Sequence, residues 1–360
     1  MNEALNLSGS KRILQFIEQN PFWLAPMAGV NDACFRGICK RMGAGITYTE
    51  MISAIGLHYN FETDATRRLL AISDNESPVA AQLFGSDAEV IATQAYEVAQ
   101  FLGEDLAFID INMGCPVTKV VRRGEGSALM MDLDTASRIV KKTVTILKAQ
   151  GLEGSDIPVT VKFRRGYSEG DDRSVEFACA MEGAGASALA VHGRYQDQFY
   201  SGVSDRQTIT RVKDAVGIPV IGSGDVFSAQ DALSMISPKS KGGVGADAVM
   251  IARGAQGDPW IFTQAQALHH GELPLTPSYE DIFAVMQEHA TCIERSFGPK
   301  ALVRMRKHAM WYCAGLPGAS YFRGKINQVT TMNDLESLIS EYKSFLAKTV
   351  TEISEETAQE

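Results

Sequence analysis

The sequence predicts a parallel (β/α)8 barrel, the TIM-barrel fold, followed by a small C-terminal helical domain. Three observations predict this architecture. Short apolar runs alternate with longer stretches of helical periodicity. The 360 residues exceed the roughly 250 that such a barrel needs. The pattern becomes wholly helical after a segment at 271–277 that contains two prolines.

Eight candidate strands form the predicted barrel. Each is an almost continuously apolar run, as is typical of strands buried on both faces of a parallel sheet. A doubly wound sheet is the alternative, but it would place a Gly-x-Gly-x-x-Gly turn after the first strand, where this chain reads Ala-Pro-Met-Ala-Gly. The predicted strands are residues 22–26, 46–49, 79–83, 107–111, 159–163, 188–191, 219–221 and 248–251.

Helical periodicity dominates the region after the proline-containing linker. Residues 279–297, 300–313 and 334–346 each have the spacing of a helix. We therefore predict a barrel domain at residues 1–271, a helical domain at 278–348 and a frayed acidic tail at 349–360.

The charge is unevenly distributed. A formal net charge of −9 opposes binding to nucleic acid, but residues 295–333 contain no Asp or Glu. This acid-free segment holds seven cations, and a local cationic surface can bind a phosphate backbone on an acidic protein. A solvated helix face is the alternative. The cations are Arg295, Lys300, Arg304, Arg306, Lys307, Arg323 and Lys325.

The remaining composition excludes other classes of protein. No apolar run approaches the roughly 20 residues of a membrane span. The six cysteines form no CxxC pair, which argues against a zinc site, and we expect no metal. Residues 1–20 lack the apolar core of a secretion signal, so we expect a cytoplasmic protein, and we expect a monomer.

The loop after the fourth candidate strand carries the most informative residue, Cys115. The thiol lies between Gly114 and Pro116, just past the carboxyl end of a strand, where TIM barrels place their chemistry. A buried structural cysteine is the alternative. Three cations follow at Lys119, Arg122 and Arg123, and positive neighbours favour a thiolate and attract anions.

Other strand ends carry polar or small residues. Lys162 lies within an apolar run and needs an anionic partner, because burying an unpaired cation is costly. The amide of Gln82 can both donate and accept hydrogen bonds. Loops after strands seven and eight commonly hold a phosphate in such barrels. The candidate residues are Pro26, Met27, Ala28, Gln82, Lys162, His192, Ser223, Gly224, Asp225, Ala252 and Arg253.

Seven stretches of the chain resemble motifs of the tRNA-dihydrouridine synthases and occur in the same order as in that family. The helical region resembles the pattern of the bacterial B-type members. The resemblance covers roughly residues 22–346. It departs from the family pattern at Ser223 and at Ala252, where Asn and Gly are usual. The stretches are Leu24-Ala25-Pro26-Met27-Ala28-Gly29-Val30, Ala81-Gln82-Leu83-Phe84-Gly85, Asn112-Met113-Gly114-Cys115-Pro116, Val161-Lys162-Phe163-Arg164, Val191-His192-Gly193-Arg194, Gly222-Ser223-Gly224-Asp225-Val226 and Met250-Ile251-Ala252-Arg253-Gly254.

The resemblance implies an FMN-dependent oxidoreductase that uses NADPH to reduce the C5–C6 double bond of D-loop uridines in tRNA. It implies that Cys115 is a general acid and that the candidate strand-end residues bind FMN. It further implies that Lys119, Arg122 and Arg123 contact RNA, as do Arg304 and Lys307. The last two share the spacing i, i+3, i+4, i+7 with His308 and Trp311, which predicts one helix face.

Two alternatives stay open at this point. A small-molecule pyrimidine flavin dehydrogenase, of the dihydroorotate or dihydropyrimidine type, would account for the barrel motifs but not for the acid-free segment. A tRNA-binding protein without chemistry would need neither Lys162 nor the Cys115 loop.

Overall fold

The computed structural model of the protein describes residues 2–149 and 157–357. Its strands form one parallel sheet in the order β1-β9-β8-β7-β6-β5-β4-β2, and the short β3 pairs with β4. They are β1 (Phe22–Leu24), β2 (Thr47–Tyr48), β3 (Ile52–Ser53), β4 (Val79–Phe84), β5 (Leu106–Met113), β6 (Val159–Gly166), β7 (Ala188–Tyr195), β8 (Val220–Ser223) and β9 (Ala248–Ile251).

Backbone hydrogen bonds close this sheet into a barrel. The Leu24 N–H donates to the Ile46 carbonyl and the Gly45 N–H donates to the Phe22 carbonyl, both at 2.8 Å, which joins β1 to the β2 segment. The predicted TIM-barrel class is therefore confirmed.

The predicted strands differ from the observed ones mainly at their carboxyl ends. β5, β6 and β7 continue to Met113, Gly166 and Tyr195, beyond the predicted ends at 111, 163 and 191. The apolar pattern stops earlier because the last residues of these strands are polar, yet neighbouring strands still supply backbone partners. The second predicted strand, residues 46–49, is shortened to β2, and β3 is not predicted.

Helices precede, connect and follow these strands along the chain. They are α1 (Asn2–Gln19), α2 (Ala33–Arg41), α3 (Ala54–Asn60), α4 (Asp64–Leu70), α5 (Ala88–Leu102), α6 (Thr118–Val121), α7 (Leu133–Ala149), α8 (Ser174–Ala184), α9 (Arg206–Ala215), α10 (Ala229–Ile236), α11 (Ile261–His269), α12 (Tyr279–Phe297), α13 (Met305–Tyr312), α14 (Ala319–Ile326) and α15 (Met332–Thr357). No helix in the described ranges is both long and apolar enough to cross a bilayer.

Helix α1, which is not among the predicted elements, lies against the amino end of the barrel. Its Ile13 and Ile17 belong to the same buried cluster as Trp23 and Phe108. Arg12 Nη2 donates to the Leu106 carbonyl at the start of β5, at 3.2 Å. This leaves the opposite, carboxyl end of the strands as the place for a site.

The chain divides into two compact units. The first comprises Met1–Arg253 and Ile261–Pro274, and the second comprises Gly254–Trp260 and Leu275–Glu360.

Within the second unit, α12 has its predicted bounds, and a capping box between Ser278 and Asp281 fixes its start. The rings of Phe322 and Tyr342 stack at 3.8 Å. α14 is not predicted, and α15 continues past the predicted end at 346 to Thr357, through residues that we expected to be frayed. Residues 358–360 of the predicted tail lie outside the described residues.

A buried ion pair stabilises the first unit beside α2. Arg36 Nε donates to Glu76 Oε1, and both side chains are almost fully buried. Thr47 Oγ1 also donates to Glu76, at 2.8 Å, as does the Ser73 N–H at 3.1 Å. Every oxygen of this carboxylate therefore has a partner, which offsets the cost of burying its charge.

Replacement of Glu76 by alanine should lower the free energy of unfolding by about 3–5 kcal/mol, because it leaves the Arg36 guanidinium buried without its anion. Urea denaturation followed by circular dichroism measures the change. Glu62→Ala is the matched control, since its pair with Arg67 is exposed and should contribute less than about 1 kcal/mol. Equal effects of the two substitutions would contradict the prediction.

Candidate active site at the carboxyl ends of the strands

The loop that carries Cys115 is held by hydrogen bonds on several sides. The Cys115 N–H donates to Asn112 Oδ1 at 2.9 Å, and its carbonyl accepts from Ser127 Oγ at 2.9 Å. Arg164 Nε donates to the Gly114 carbonyl at 2.9 Å. Gly126 has a φ of +61°, and a Cβ there would lie 2.9 Å from the Cys115 carbonyl oxygen, so only glycine fits. The thiol is thus held in a largely buried position on a loop that these hydrogen bonds fix.

The environment of the thiol favours its protonated form. Burial raises the pKa of Cys115, and the positive charges of Arg164 and Lys162 offset this only in part. The expectation that Lys119, Arg122 and Arg123 favour a thiolate is therefore wrong. Those three side chains are exposed on and after α6, and the cations that act on the thiol come from β6.

A polar layer crosses the barrel interior below the thiol. Gln82 on β4 and Thr160 on β6 lie in register with Asp110 on β5. Gln82 Nε2 donates to Asp110 Oδ2 at 2.7 Å, and Thr160 Oγ1 donates to Asp110 Oδ1. Burial raises the pKa of Asp110 to about 6, although both hydrogen bonds favour the ionised carboxylate. Asp110 was not among the predicted site residues.

Lysine and arginine side chains concentrate just above this layer. Lys162 lies in register between Asn112 on β5 and Ala190 on β7. Burial, and secondly the charge of Arg164, lower the pKa of Lys162 to about 8. Burial lowers the pKa of Arg164 to about 10. Lys162 makes no ion pair within 4 Å in the described part of the chain, so its predicted anionic partner is not a side chain in direct contact; Asp110 acts on it at longer range.

His192 lies at the centre of these charges. Burial, followed by Lys162, Arg164, Arg194 and Arg253, lowers the pKa of His192 well below its usual range. The imidazole is therefore neutral at physiological pH, with one nitrogen donating and the other accepting. Arg194 Nη1 lies 3.4 Å from His192 Nε2, which favours the tautomer that accepts there.

The loops after β8 and β9 form a cradle lined by donors. Gly224 has a φ of +119°, and a Cβ there would lie 2.2 Å from Ser204 Oγ and 2.8 Å from His192 Cδ2. Ser204 Oγ is buried and has no hydrogen-bond partner among the described residues. The guanidinium of Arg253 lies between the rings of Tyr200 and Phe227, at 4.9 and 5.0 Å.

Asp225 contacts the side chains and backbone that line this cradle. Its carboxylate accepts from Arg194 Nη1 and Nη2 at 2.8 and 2.7 Å, from the Ser204 N–H at 2.8 Å and from Arg253 Nη2 at 3.2 Å. A carboxylate with these partners orients the arginines and has no donor to offer an anion.

The other predicted residues lie on the same rim of the barrel. Pro26 and Met27 are half-buried and Ala28 is exposed in the turn after β1, while Ser223 ends β8 and Ala252 follows β9. Sequence reasoning missed Asn112, Arg164 and Arg194. All three lie within the motifs quoted above, and their polar character at the end of an apolar strand was the available signal.

The predicted RNA-binding residues of the second unit lie on two kinds of helix. Arg304 ends a 3-10 turn, Pro299–Arg304, and its guanidinium lies 4.6 Å from the Phe297 ring. α13 begins at Met305, and its His308 is buried against Trp311. Arg304 is exposed whereas His308 is buried, so the four positions differ in burial. Lys307 is half-buried on α13.

Comparison with known proteins assigns this arrangement to a family. The family model described as dihydrouridine synthase (Dus) matches residues 23–349. The chain belongs to the dihydrouridine synthase family. A tRNA-dihydrouridine synthase B of Pseudomonas aeruginosa is 37% identical over 341 residues, which cover 94% of this chain and 96% of the relative. A probable tRNA-dihydrouridine synthase of Mycobacterium tuberculosis is 35% identical over 347 residues, covering 93% and 85%.

Membership of the dihydrouridine synthase family makes the chain an oxidoreductase, because dihydrouridine is a reduced base. The match covers most of the second unit and every strand residue of the barrel except Phe22, the first residue of β1.

Alkylation of Cys115 should reveal the raised pKa of its thiol. Because only the thiolate reacts, the rate of iodoacetamide labelling should continue to rise above pH 8.5, the ordinary value for a thiol. Peptide mapping by mass spectrometry follows Cys115 alone, and the same peptide in urea-unfolded protein is the reference. If the pH at which labelling of Cys115 is half-maximal is no higher in the folded than in the unfolded chain, the neighbouring cations outweigh burial and the prediction is wrong.

Proposed function

We propose that this chain reduces uridines in the D-loop of tRNA to 5,6-dihydrouridine, with FMN as its cofactor and NADPH as the electron donor. The observation that carries the proposal is a buried thiol, Cys115, on a hydrogen-bonded loop beside a cationic pocket, in a member of the dihydrouridine synthase family. We further propose that the protein acts as a monomer in the cytoplasm.

The residues at the strand ends fit FMN. Lys162, Arg164, Arg194 and Arg253 surround His192, while Asp110 and Asp225 are the carboxylates that act on them. This excess of positive charge suits an anionic ligand. The cradle at Gly224, with the unpartnered Ser204 hydroxyl and the half-buried Arg253, suits a phosphate.

In this proposal, Pro26, Met27, Ala28 and Gln82 contact the flavin ring, and Lys162 lies near its anionic reduced form. Ser223, Gly224, Ala252, Arg253 and His192 hold the phosphate end. Asp225, which we expected to contact the cofactor, would instead orient Arg194 and Arg253, because its oxygens already accept from both.

Reduction of the C5–C6 double bond requires one hydride and one proton. Reduced FMN, when bound, would supply the hydride to C6. Cys115 holds the proton and delivers it to C5, and the high pKa of the thiol keeps that proton in place at physiological pH. Solvent then reprotonates the thiolate. Arg164 helps to fix the loop by its bond to the Gly114 carbonyl.

The target base must leave its stack to reach such a site, because no side chain can reach the faces of a stacked base. We infer that Lys119, Arg122 and Arg123, which are exposed near the Cys115 loop, bind phosphates of the D-loop. Arg304 and Lys307 of the second unit would bind the tRNA backbone elsewhere. A small-molecule pyrimidine dehydrogenase would have no use for either set of cations.

Purified protein should contain one tightly bound FMN per chain. Absorbance in the flavin bands, and release of FMN rather than FAD on denaturation, measure this. Arg253→Ala should weaken FMN binding, because it removes the guanidinium at the cradle, whereas Arg173→Ala, at an exposed ion pair with Asp171, should not. A colourless protein that FMN cannot reconstitute would overturn the proposal.

Cys115→Ala should retain FMN and its reduction by NADPH but lose uridine reduction by about 10²–10⁴-fold, the usual contribution of a general acid. Single-turnover assays with pre-reduced enzyme and tRNA isolate this step. Cys179→Ala is the matched control, as that thiol is exposed on α8. Normal product formation by the Cys115 variant would remove the thiol from the mechanism.

Replacement of Arg304 and Lys307 by alanine should weaken tRNA binding and reduce its salt dependence by roughly one unit of slope per lost phosphate contact. Filter binding over a salt series measures both effects. Lys343→Ala is the control, since that lysine pairs with Glu280 outside the acid-free segment. Flavin content should stay constant. An unchanged slope would exclude the two cations from the docking surface.

A further inference from the structure

A continuous relay of hydrogen bonds connects a buried carboxylate to the Cys115 loop. Asp110 Oδ2 accepts from Gln82 Nε2 at 2.7 Å, and Gln82 Oε1 accepts from Asn112 Nδ2 at 2.9 Å. Asn112 Oδ1 then accepts from the N–H groups of Gly114 and Cys115, at 3.1 and 2.9 Å. The relay thus runs from the barrel interior to the backbone of the residue that carries the thiol.

The carboxylate at the base decides the direction of every bond in this relay. An ionised carboxylate can only accept, so Gln82 must turn its NH2 group toward Asp110 and its oxygen toward Asn112. Asn112 must then donate to Gln82 and present its own oxygen to the loop. The reverse orientation would place the Asn112 NH2 group against two backbone N–H groups, leaving three donors without an acceptor.

Asp110 acts on Lys162 only through its charge, and its direct contacts are all hydrogen bonds within the polar layer. Its side chain is fully buried, and its second oxygen accepts from Thr160. Neither donor is charged, although burying a carboxylate without a contacting cation is costly. The layer in which it lies is one register step below Asn112 and Lys162.

We propose that Asp110 is a positioning residue that fixes the amide orientations of Gln82 and Asn112 and thereby the backbone of the Cys115 loop. Its consequence for catalysis rests on the proposed function, whereas its effect on the loop does not.

Hydrogen exchange in the full-length protein tests the relay directly. Asp110→Leu, of similar shape, removes the acceptor that sets the direction, and exchange at the Gly114 and Cys115 amides should become about tenfold faster. Thr160→Val is the matched control: it removes the other hydrogen bond to the same carboxylate but leaves the direction unchanged, so exchange should change less than about twofold.

A double variant that swaps the carboxylate and the amide should restore the protection of the loop amides. In the double variant Asp110→Asn and Gln82→Glu, the new carboxylate at 82 accepts from both amides, so Asn112 keeps its oxygen on the loop. Protection of the Cys115 amide should return to within about twofold of the original. If Asp110→Leu fails to fold, Gln82→Leu breaks the next link and should accelerate exchange equally.

Single-turnover uridine reduction by pre-reduced enzyme supplies the second readout. It should fall at least about tenfold in Asp110→Leu and less than twofold in Thr160→Val. Unchanged protection of the Cys115 amide in Asp110→Leu would overturn the proposal, as would faster exchange with an unchanged reduction rate. Absence of uridine reduction in the unmodified protein would refute the proposed function. The hydrogen-exchange data would still show whether Asp110 fixes the Cys115 loop.

Discussion

The register of the parallel strands is the constraint on which the site depends. Each strand contributes alternate side chains to the barrel interior, so residues from neighbouring strands meet in layers. Gln82, Asp110 and Thr160 occupy one layer, and Asn112 and Lys162 occupy the next. A shift of one residue in β5 would send Asp110 and Asn112 to the outer face of the sheet. The chemistry of the pocket is therefore encoded in backbone pairing.

This register also permits an unusual accumulation of positive charge. Arg164 and Arg194 come from adjacent strands, and both donate to backbone carbonyls of the rim. Arg164 donates to those of Gly114, Tyr195 and Phe199. Arg194 donates to those of Ser201 and Gly202 and also to the Asp225 carboxylate. The same guanidinium groups thus hold the rim loops in place and create a positive potential. The positive potential of the pocket and the fixed position of its rim loops therefore have a common physical origin.

The Cys115 thiol illustrates how tertiary contacts can reverse an argument from neighbours in sequence. Lys119, Arg122 and Arg123 follow it closely in the chain, yet they lie exposed, where solvent screens their charge. Burial acts on the thiol without such screening and keeps it protonated. A proton donor needs this state, whereas a nucleophile would need the opposite one.

The sequence by itself determined the barrel, most of its strands, the α12 helix and the family resemblance, because apolar periodicity and local motifs are properties of short segments. It also pointed to Cys115, Lys162 and the glycine-containing turn at Gly224 as candidate site residues. Only the tertiary structure decided which partners these residues have. Asp110 has its partners on β4 and β6, and Asp225 accepts from Arg194 and Arg253, so the local sequence of either residue does not indicate its partners. Hydrogen bonds between distant segments, and the burial that sets a pKa, arise only when the chain closes on itself.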